Sequence, residues 1–532
     1  MTDSVFSVRV FDCRIGRSCF VVASVLFAGL SFWLLRQPLL WLLGVVADDA
    51  FYYLQVARNI ASTGFSSFDG TNPTNGYHPG WMVLMVIGAE LTTDRLTLLQ
   101  YCLGVSLLFH WLTALLLVDI VRRFVDLNWG LICGAVWMLF PVPLVLVLQG
   151  VELPLSVFCL TLVIDVYLSW IDPSFDSKAR LPLPLKGAFI LGLALGLLVL
   201  ARTDAVIYAG VLLLLIIFMV LRGVSLLSAL SVLLRTVGPI IAGFCLAITP
   251  WLVYSYSQVG TLLQDSGVMK VLWTTEETSF IEACKWVVRI WFQRPIALMI
   301  SNLATLRLAF VGIVLLFCFA VVRLLREGKR GGLFRCTLWL AGGGIAGSLA
   351  VGLCLSDVQV WYSGHAFLIF FLLFVSWGLC ALRRLDRWSL RLDSRVGGGL
   401  FVAVLAIFGR FWLFPPVLYP WQRDVYTSQA AFEKLVPVNE TIGCFNAGIP
   451  AFFSNRRIVN LDGLVNHTAI AYWKSRQFDR FLKDQHIGYI MDEVSALQRG
   501  EQYAANKINL EPLASAPFTG WFPPERWLWR VR

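Results

Sequence analysis

Two adjacent carboxylates, Asp48 and Asp49, follow the first long apolar run of the sequence. They precede a helix-like stretch, Ala50–Ser62, that runs out at Gly64, a residue suited to a left-handed C-cap. A carboxylate in such a place can take a proton from a hydroxyl group as general base. It can also accept the free N–H groups of a helix start, which stabilises the helix by about 1 kcal/mol. Asp49, directly ahead of Ala50, is the better placed cap. Asp48, one residue out, is the freer of the two and is expected to be the base. A polar stretch follows, Asn72-Pro73-Thr74-Asn75-Gly76-Tyr77-His78-Pro79, with Gly, Pro and Asn where turns need them.

Further ionisable groups sit beside apolar runs. Arg202 and Asp204 lie in Leu200-Ala201-Arg202-Thr203-Asp204, and Lys270 lies in Asp265-Ser266-Gly267-Val268-Met269-Lys270. Tyr362 and His365 lie in Trp361-Tyr362-Ser363-Gly364-His365. Ionisable residues at a membrane are costly, so they are candidates for function. The alternatives are an Arg–Asp pair tying two helix ends, a plain turn at Ser266-Gly267, and an interfacial aromatic belt at Trp361-Tyr362. Cations here would stabilise charge on a departing phosphate. The adjacent aspartates are also a candidate ligand pair for Mg2+ or Mn2+, which take carboxylate and water oxygens.

These groups need a membrane scaffold to hold them. The 532 residues are 58% hydrophobic and 14% charged, against roughly 25% charged in soluble domains. Apolar runs long enough to span a bilayer recur. They give about eleven spans: 19–35, 96–121, 128–147, 152–171, 186–200, 205–221, 236–256, 302–325, 333–355, 362–382 and 397–414. The short run Pro79–Leu91 is expected to lie along the interface. The net charge of +10 does not indicate nucleic acid, because Lys and Arg cluster in alternate short loops. Arg122 and Arg123, Lys178 and Arg180, Arg326 to Arg335 and Arg383 to Arg395 all fall on one side. That asymmetry puts the N-terminus in the cytoplasm and the acidic pair outside. The twelve cysteines are scattered, mostly within apolar runs, and form no C-x-x-C pair, so disulfides and metal are not indicated.

The composition changes at Pro415. Thr441–Phe445, Arg457–Leu461, Ile487–Met491 and Trp527–Val531 read as strands, and Ala469–Gln485 as an amphipathic helix. The expected architecture is an α-helical polytopic membrane domain, 1–414, with outer loops 46–95 and 257–301. A small α/β extracytoplasmic domain, 415–532, follows it.

The order of parts resembles the GT-C superfamily of polyprenyl-phosphate-sugar-dependent glycosyltransferases, a group with protein O-mannosyltransferases, the lipid A aminoarabinose transferase and mycobacterial arabinofuranosyltransferases. Asp48-Asp49-Ala50-Phe51 resembles its acidic motif in the first outer loop. The segment Asn72–Pro79, Leu200–Asp204, Ser266–Lys270 and Val459–Asn466 resemble later motifs of a bacterial branch. The resemblance implies transfer of a sugar from a polyprenyl-phosphate donor to a glycan, lipid or protein hydroxyl, at the outer face of a bacterial inner membrane. Asp48 and Asp49 would be catalytic; Arg58, Arg202, Lys270, Tyr362 and His365 would hold the donor phosphate; Asn75, Tyr77, His78 and Asp204 would line the acceptor side. A lipid-linked-sugar transporter and a non-catalytic envelope assembly protein are the rival readings. A transporter favours paired repeats and charges near the bilayer midplane, and the sequence has neither.

Overall fold

The computed structural model describes residues 14–124, 126–170, 184–221, 226–273, 280–293, 332–353, 359–385, 398–399, 401–402, 405, 417–518 and 525–532. Among these, five helices are long and apolar enough to cross a membrane: Arg14–Leu35, Arg95–Phe124, Leu153–Trp170, Thr203–Leu221 and Ser228–Val259. The helices Leu127–Leu139 and Pro141–Val147 meet at 54° and are together long and apolar enough for one bent span or a re-entrant loop. Shorter apolar helices are Pro79–Leu91, Leu185–Ala201, Cys336–Gly352 and Gly364–Ser376. The protein is a multi-pass membrane protein. The expected span 302–325 and most of 397–414 lie outside the described residues.

The bend has a local cause. Phe140 precedes Pro141 and is extended, with φ −73° and ψ 128°, because a following proline crowds the α conformation. The bent pair ends at Leu148-Gln149-Gly150-Val151, which delivers Glu152 to the start of the next helix. A second close contact fixes the turn at Arg202. Helices Leu185–Ala201 and Leu226–Val259 touch backbone to backbone. A Cβ on Gly192 would lie 2.0 Å from the Ile240 carbonyl oxygen, and one on Gly243 2.2 Å from that of Phe189. Small residues permit this approach.

The C-terminal sheet domain has five strands, β1 (Thr441–Cys444), β2 (Ile458–Asn460), β3 (Ile487–Glu493), β4 (Leu510–Pro517) and β5 (Glu525–Val531), in the order β2-β1-β3-β5-β4. β1 is parallel to β2 and β3, and β5 is antiparallel to β3 and β4. The four expected strands form. The expected helix Ala469–Gln485 is two helices, His467–Lys474 and Phe478–Asp484, parted where Arg476 takes φ 53°. β4 is not among the strands expected from sequence; it carries Pro512 and Pro517 and lies at one edge of the sheet, where proline is tolerated. Trp473, Phe478, Phe481 and Ile490 form the domain's own core, and Met269 of the helix Asp265–Trp273 packs into it.

Candidate active site

The helix that carries the acidic pair, Asp48–Thr63, begins two residues earlier than expected. Its N-cap is Ala47, extended, with no side-chain cap. The Ala47 N–H donates to the Gln149 carbonyl at 3.0 Å, which fixes where the helix starts. Gly64 closes it with φ 72°, the expected left-handed C-cap. Both aspartates therefore occupy the first turn, where the positive end of the helix dipole favours carboxylates. Neighbouring residues on a helix diverge by about 100°, so the two carboxylates part. Asp49 lines a cleft together with Tyr53, His78, Arg202, Lys270 and Tyr362. Asp48 instead accepts the Ile449 N–H of the sheet domain at 2.9 Å. Neither aspartate is the N-cap: the expected cap, Asp49, lies in the first turn and lines the cleft, while Asp48, expected as the base, is bonded to the sheet domain. Burial pushes the Asp48 carboxyl up to about 7 against the effect of the Ile449 hydrogen bond.

The loop after Gly64 is ordered by its own side chains. Asp69 accepts from Thr71 N at 2.9 Å and Asn72 N at 2.8 Å. Asn75 and Asp265 pair reciprocally: Asn75 N donates to Asp265 Oδ2 at 3.2 Å, and Asp265 N donates to Asn75 Oδ1 at 2.9 Å. This joins the two outer loops. It brings Tyr77, His78, Ser266 and Lys270 to the lining of the same cleft.

Glu152 is the charged centre of that cleft. It accepts from Tyr53 Oη at 3.0 Å and Arg202 Nη1 at 3.0 Å, and lies 3.5 Å from His78 Nε2. Arg202 also grips Asp204 with two bonds, at 2.7 and 3.1 Å. Burial works against the guanidinium charge, but Asp204 and Glu152 outweigh it and the Arg202 pKa is raised. Its guanidinium carbon stands 4.5 Å over the Tyr362 ring centre, and Lys270 Nζ donates to Tyr362 Oη at 3.0 Å. Burial likewise opposes the Lys270 ammonium, while Tyr362 and the Asp49 charge hold it protonated. The two cations therefore flank one aromatic ring, and all three groups line the cleft together with Asp49. Burial lowers the His78 pKa more than Glu152 raises it. Its Nδ1 accepts from Thr203 N at 3.2 Å, so the neutral ring turns Nε2–H toward Glu152.

Asp49, Tyr77, His78, Arg202, Lys270 and Tyr362 thus converge as expected residues of one site. Others do not join it. Arg58 bonds Gln55 Oε1 at 3.3 Å and stacks 5.8 Å from the Phe452 ring centre, so it faces the sheet domain. Asn75 joins the loops. Asp204 backs Arg202, and His365 bonds Ser156 Oγ at 2.7 Å beside Tyr208; both line a smaller neighbouring cavity. The sequence reading missed Glu152, Tyr53 and Gln264, all in the cleft wall. Glu152 had a signal: it is the one charged residue between Asp126 and Asp165. Among the described residues no three His, Cys, Asp or Glu side chains gather into a metal-binding group.

A domain family described as a domain of unknown function (DUF8728) matches residues 422–526. Among curated proteins, none matches the chain by sequence. Solved structures do match the fold. ArnT from Cupriavidus metallidurans bound to undecaprenyl phosphate is 12% identical, with a TM-score of 0.55 over 95% of this chain and 97% of that one. The Archaeoglobus fulgidus oligosaccharyltransferase complex with Zn and sulfate is 15% identical, with a TM-score of 0.53 over 92% and 70%. AglB from the same organism, in complex with an inhibitory peptide and a dolichol-phosphate, is 13% identical, with a TM-score of 0.51 over 92% and 71%. The chain described here has the fold of ArnT and of the oligosaccharyltransferase AglB, with a small C-terminal sheet domain.

Proposed function

We propose that the protein moves a sugar from a polyprenyl-phosphate donor to a hydroxyl acceptor at the outer face of the membrane, with Asp49 as general base. The observation that carries this is the cleft that Asp49 lines together with Lys270, Arg202 and Tyr362, Glu152 being engaged by Arg202 and Tyr53. In the transfer the acceptor O–H gives its proton to Asp49 and its oxygen bonds to the anomeric carbon. The bond from that carbon to the phosphate oxygen breaks, and the polyprenyl phosphate leaves with the negative charge. Lys270 and Arg202 stabilise that charge as it develops. Neutral His78 and the Arg202–Glu152 pair hold the wall between them. The undecaprenyl phosphate in ArnT and the dolichol-phosphate in AglB support a lipid-phosphate donor. Lys/Arg asymmetry supports the outer face for the cleft and for residues 415–532.

The test is release of free polyprenyl phosphate from a lipid-linked sugar by the purified protein, read by mass spectrometry. Asp49→Asn is expected to lower the rate by about 100-fold or more, the usual contribution of a positioned base. Full-rate release by that variant overturns the assignment.

A further inference from the structure

In the sheet domain the strand order reverses between β1 and β3, which lie side by side and parallel while the chain leaves β1 toward β2. Open α/β sheets take their ligands at the carboxyl ends of strands at such a reversal. Here that place is filled by the protein itself. Asp492, near the end of β3, accepts from Phe445 N at 2.7 Å and Asn446 N at 2.8 Å. The next peptide groups are taken by the helix Asp48–Thr63. Tyr52 Oη donates to the Phe445 carbonyl at 3.0 Å and accepts from Ala447 N at 2.8 Å, and Asp48 Oδ1 accepts from Ile449 N.

The spacing has a consequence for the cleft. Residues four apart share a helix face. Asp48 and Tyr52 bond the sheet domain, Tyr52 also bordering the cleft, while Asp49 lines the cleft and Tyr53 bonds Glu152. One helix start thus presents two chemistries to two parts of the protein. The seam is built for close approach: a Cβ on Gly448 would lie 2.5 Å from the Asp48 carbonyl oxygen and 2.7 Å from its Oδ1. Gln422, with its amide oriented by its partners, donates to the Leu43 and Val46 carbonyls and accepts from Asp48 N at 3.2 Å. Phe51 packs on Phe452 and Phe453, each at 5.6 Å between ring centres.

We propose that Asp48 and Tyr52 are positioning residues, a latch through which the C-terminal sheet domain fixes the rotation of the acidic helix so that Asp49 points into the cleft. Asp48 takes the place that an anionic ligand would hold at the sheet's strand reversal. The catalytic consequence rests on the glycosyl-transfer reading above; the latch does not, because it is read by amide exchange.

The experiment uses the full chain in detergent micelles, with hydrogen exchange followed over residues 445–453 and transfer assayed in parallel. Asp48→Ala and Tyr52→Phe are expected to speed exchange there about tenfold, the loss of one or two buried hydrogen bonds. Asp48→Asn keeps an acceptor for Ile449 N and is expected to stay within about threefold of the wild type. Asp49→Asn is expected to leave exchange unchanged. In transfer, Asp48→Asn should retain turnover within about tenfold, restoring what Asp48→Ala loses, while Asp49→Asn falls by about 100-fold or more. Wild-type exchange in both Asp48→Ala and Tyr52→Phe overturns the latch. Asp48→Asn as inactive as Asp49→Asn, with wild-type exchange, also overturns it and makes Asp48 a reacting group. If the wild type itself transfers nothing, the glycosyl-transfer reading falls and the exchange result alone decides the latch.

Discussion

Removing Glu152 tests whether the cleft wall is held by a buried ion network. Its side chain is 4% exposed and its oxygens meet Tyr53 Oη and Arg202 Nη1, each at 3.0 Å. Taking one partner from a buried pair costs about 3–5 kcal/mol, because the other charge is left uncompensated. Arg202 keeps both bonds to Asp204, so Glu152→Ala belongs at the lower end, about 3 kcal/mol. Much of that is the Tyr53 bond, since a hydrogen bond to a charged group contributes about 1.5–3 kcal/mol. Glu152→Gln leaves Tyr53 an acceptor and is expected to lose less, about 1–2 kcal/mol. The assay is equilibrium unfolding in detergent, run as a double-mutant cycle with Arg202→Met. A coupling of at least about 1 kcal/mol is expected for groups in direct contact. Additive losses, or a Glu152→Ala protein within about 0.5 kcal/mol of the wild type, the range of an ordinary surface change, would refute the network.

Three other outcomes are expected. Lys270→Ala and Arg202→Ala should each weaken use of the lipid-phosphate donor by about 10- to 100-fold in kcat/KM, the loss of a charge-assisted contact; unchanged donor kinetics in both variants would remove them from the phosphate site. The seam at Asp48 should depend on pH: its folded pKa of about 7 lies above the ordinary value of about 3.9, so docking is favoured by the bound proton, fully present below about pH 4 and lost as pH rises through about 7. Exchange over residues 445–453 should therefore quicken, beyond the intrinsic rate, from pH 5 to 8, and Asp48→Asn should flatten that slope; slowing with pH would contradict the sign. A reporter fused at Arg532 should be active as alkaline phosphatase and dark as a cytoplasmic fluorophore, and the reverse pattern would invert the topology.

The sequence showed the site in parts, each where a costly residue type stood against an apolar background. Asp49, Arg202 and Lys270 are such residues, and they do meet in one cleft. Glu152 stood out in the same way but carried no partner within reach along the chain; the bond to Arg202 joins positions 50 residues apart. Tyr53 was hidden because an aromatic residue on an amphipathic helix reads as core. The start of the acidic helix was misjudged because a cap was sought in its side chains, whereas the Gln149 carbonyl, 102 positions away by number, fixes Ala47. Strand alternation made most of the sheet legible. The edge strand β4 was not, because Pro512 and Pro517 are compatible with a ladder only where one side is unpaired, and sequence does not show which strand is the edge.

The division of labour between the two aspartates follows from helix geometry. Had Asp48 and Asp49 stood on an extended segment ahead of the helix, their side chains would have pointed to opposite sides and either could have served the cleft. With the helix starting at Asp48, the i and i+4 pairing joins Asp48 to Tyr52 and Asp49 to Tyr53. The first pair meets a sheet domain whose strand-end peptide groups need acceptors and donors. The second meets a cleft that Lys270 and Arg202 also line. A base in that cleft has to keep one rotation about the helix axis, since a shift of one residue would put the seam's carboxylate there instead. The tie to the sheet domain supplies that constraint from outside the cleft. Coupling between the seam and the site then needs no moving part, only a helix held on one face so that its other face points where the reaction occurs.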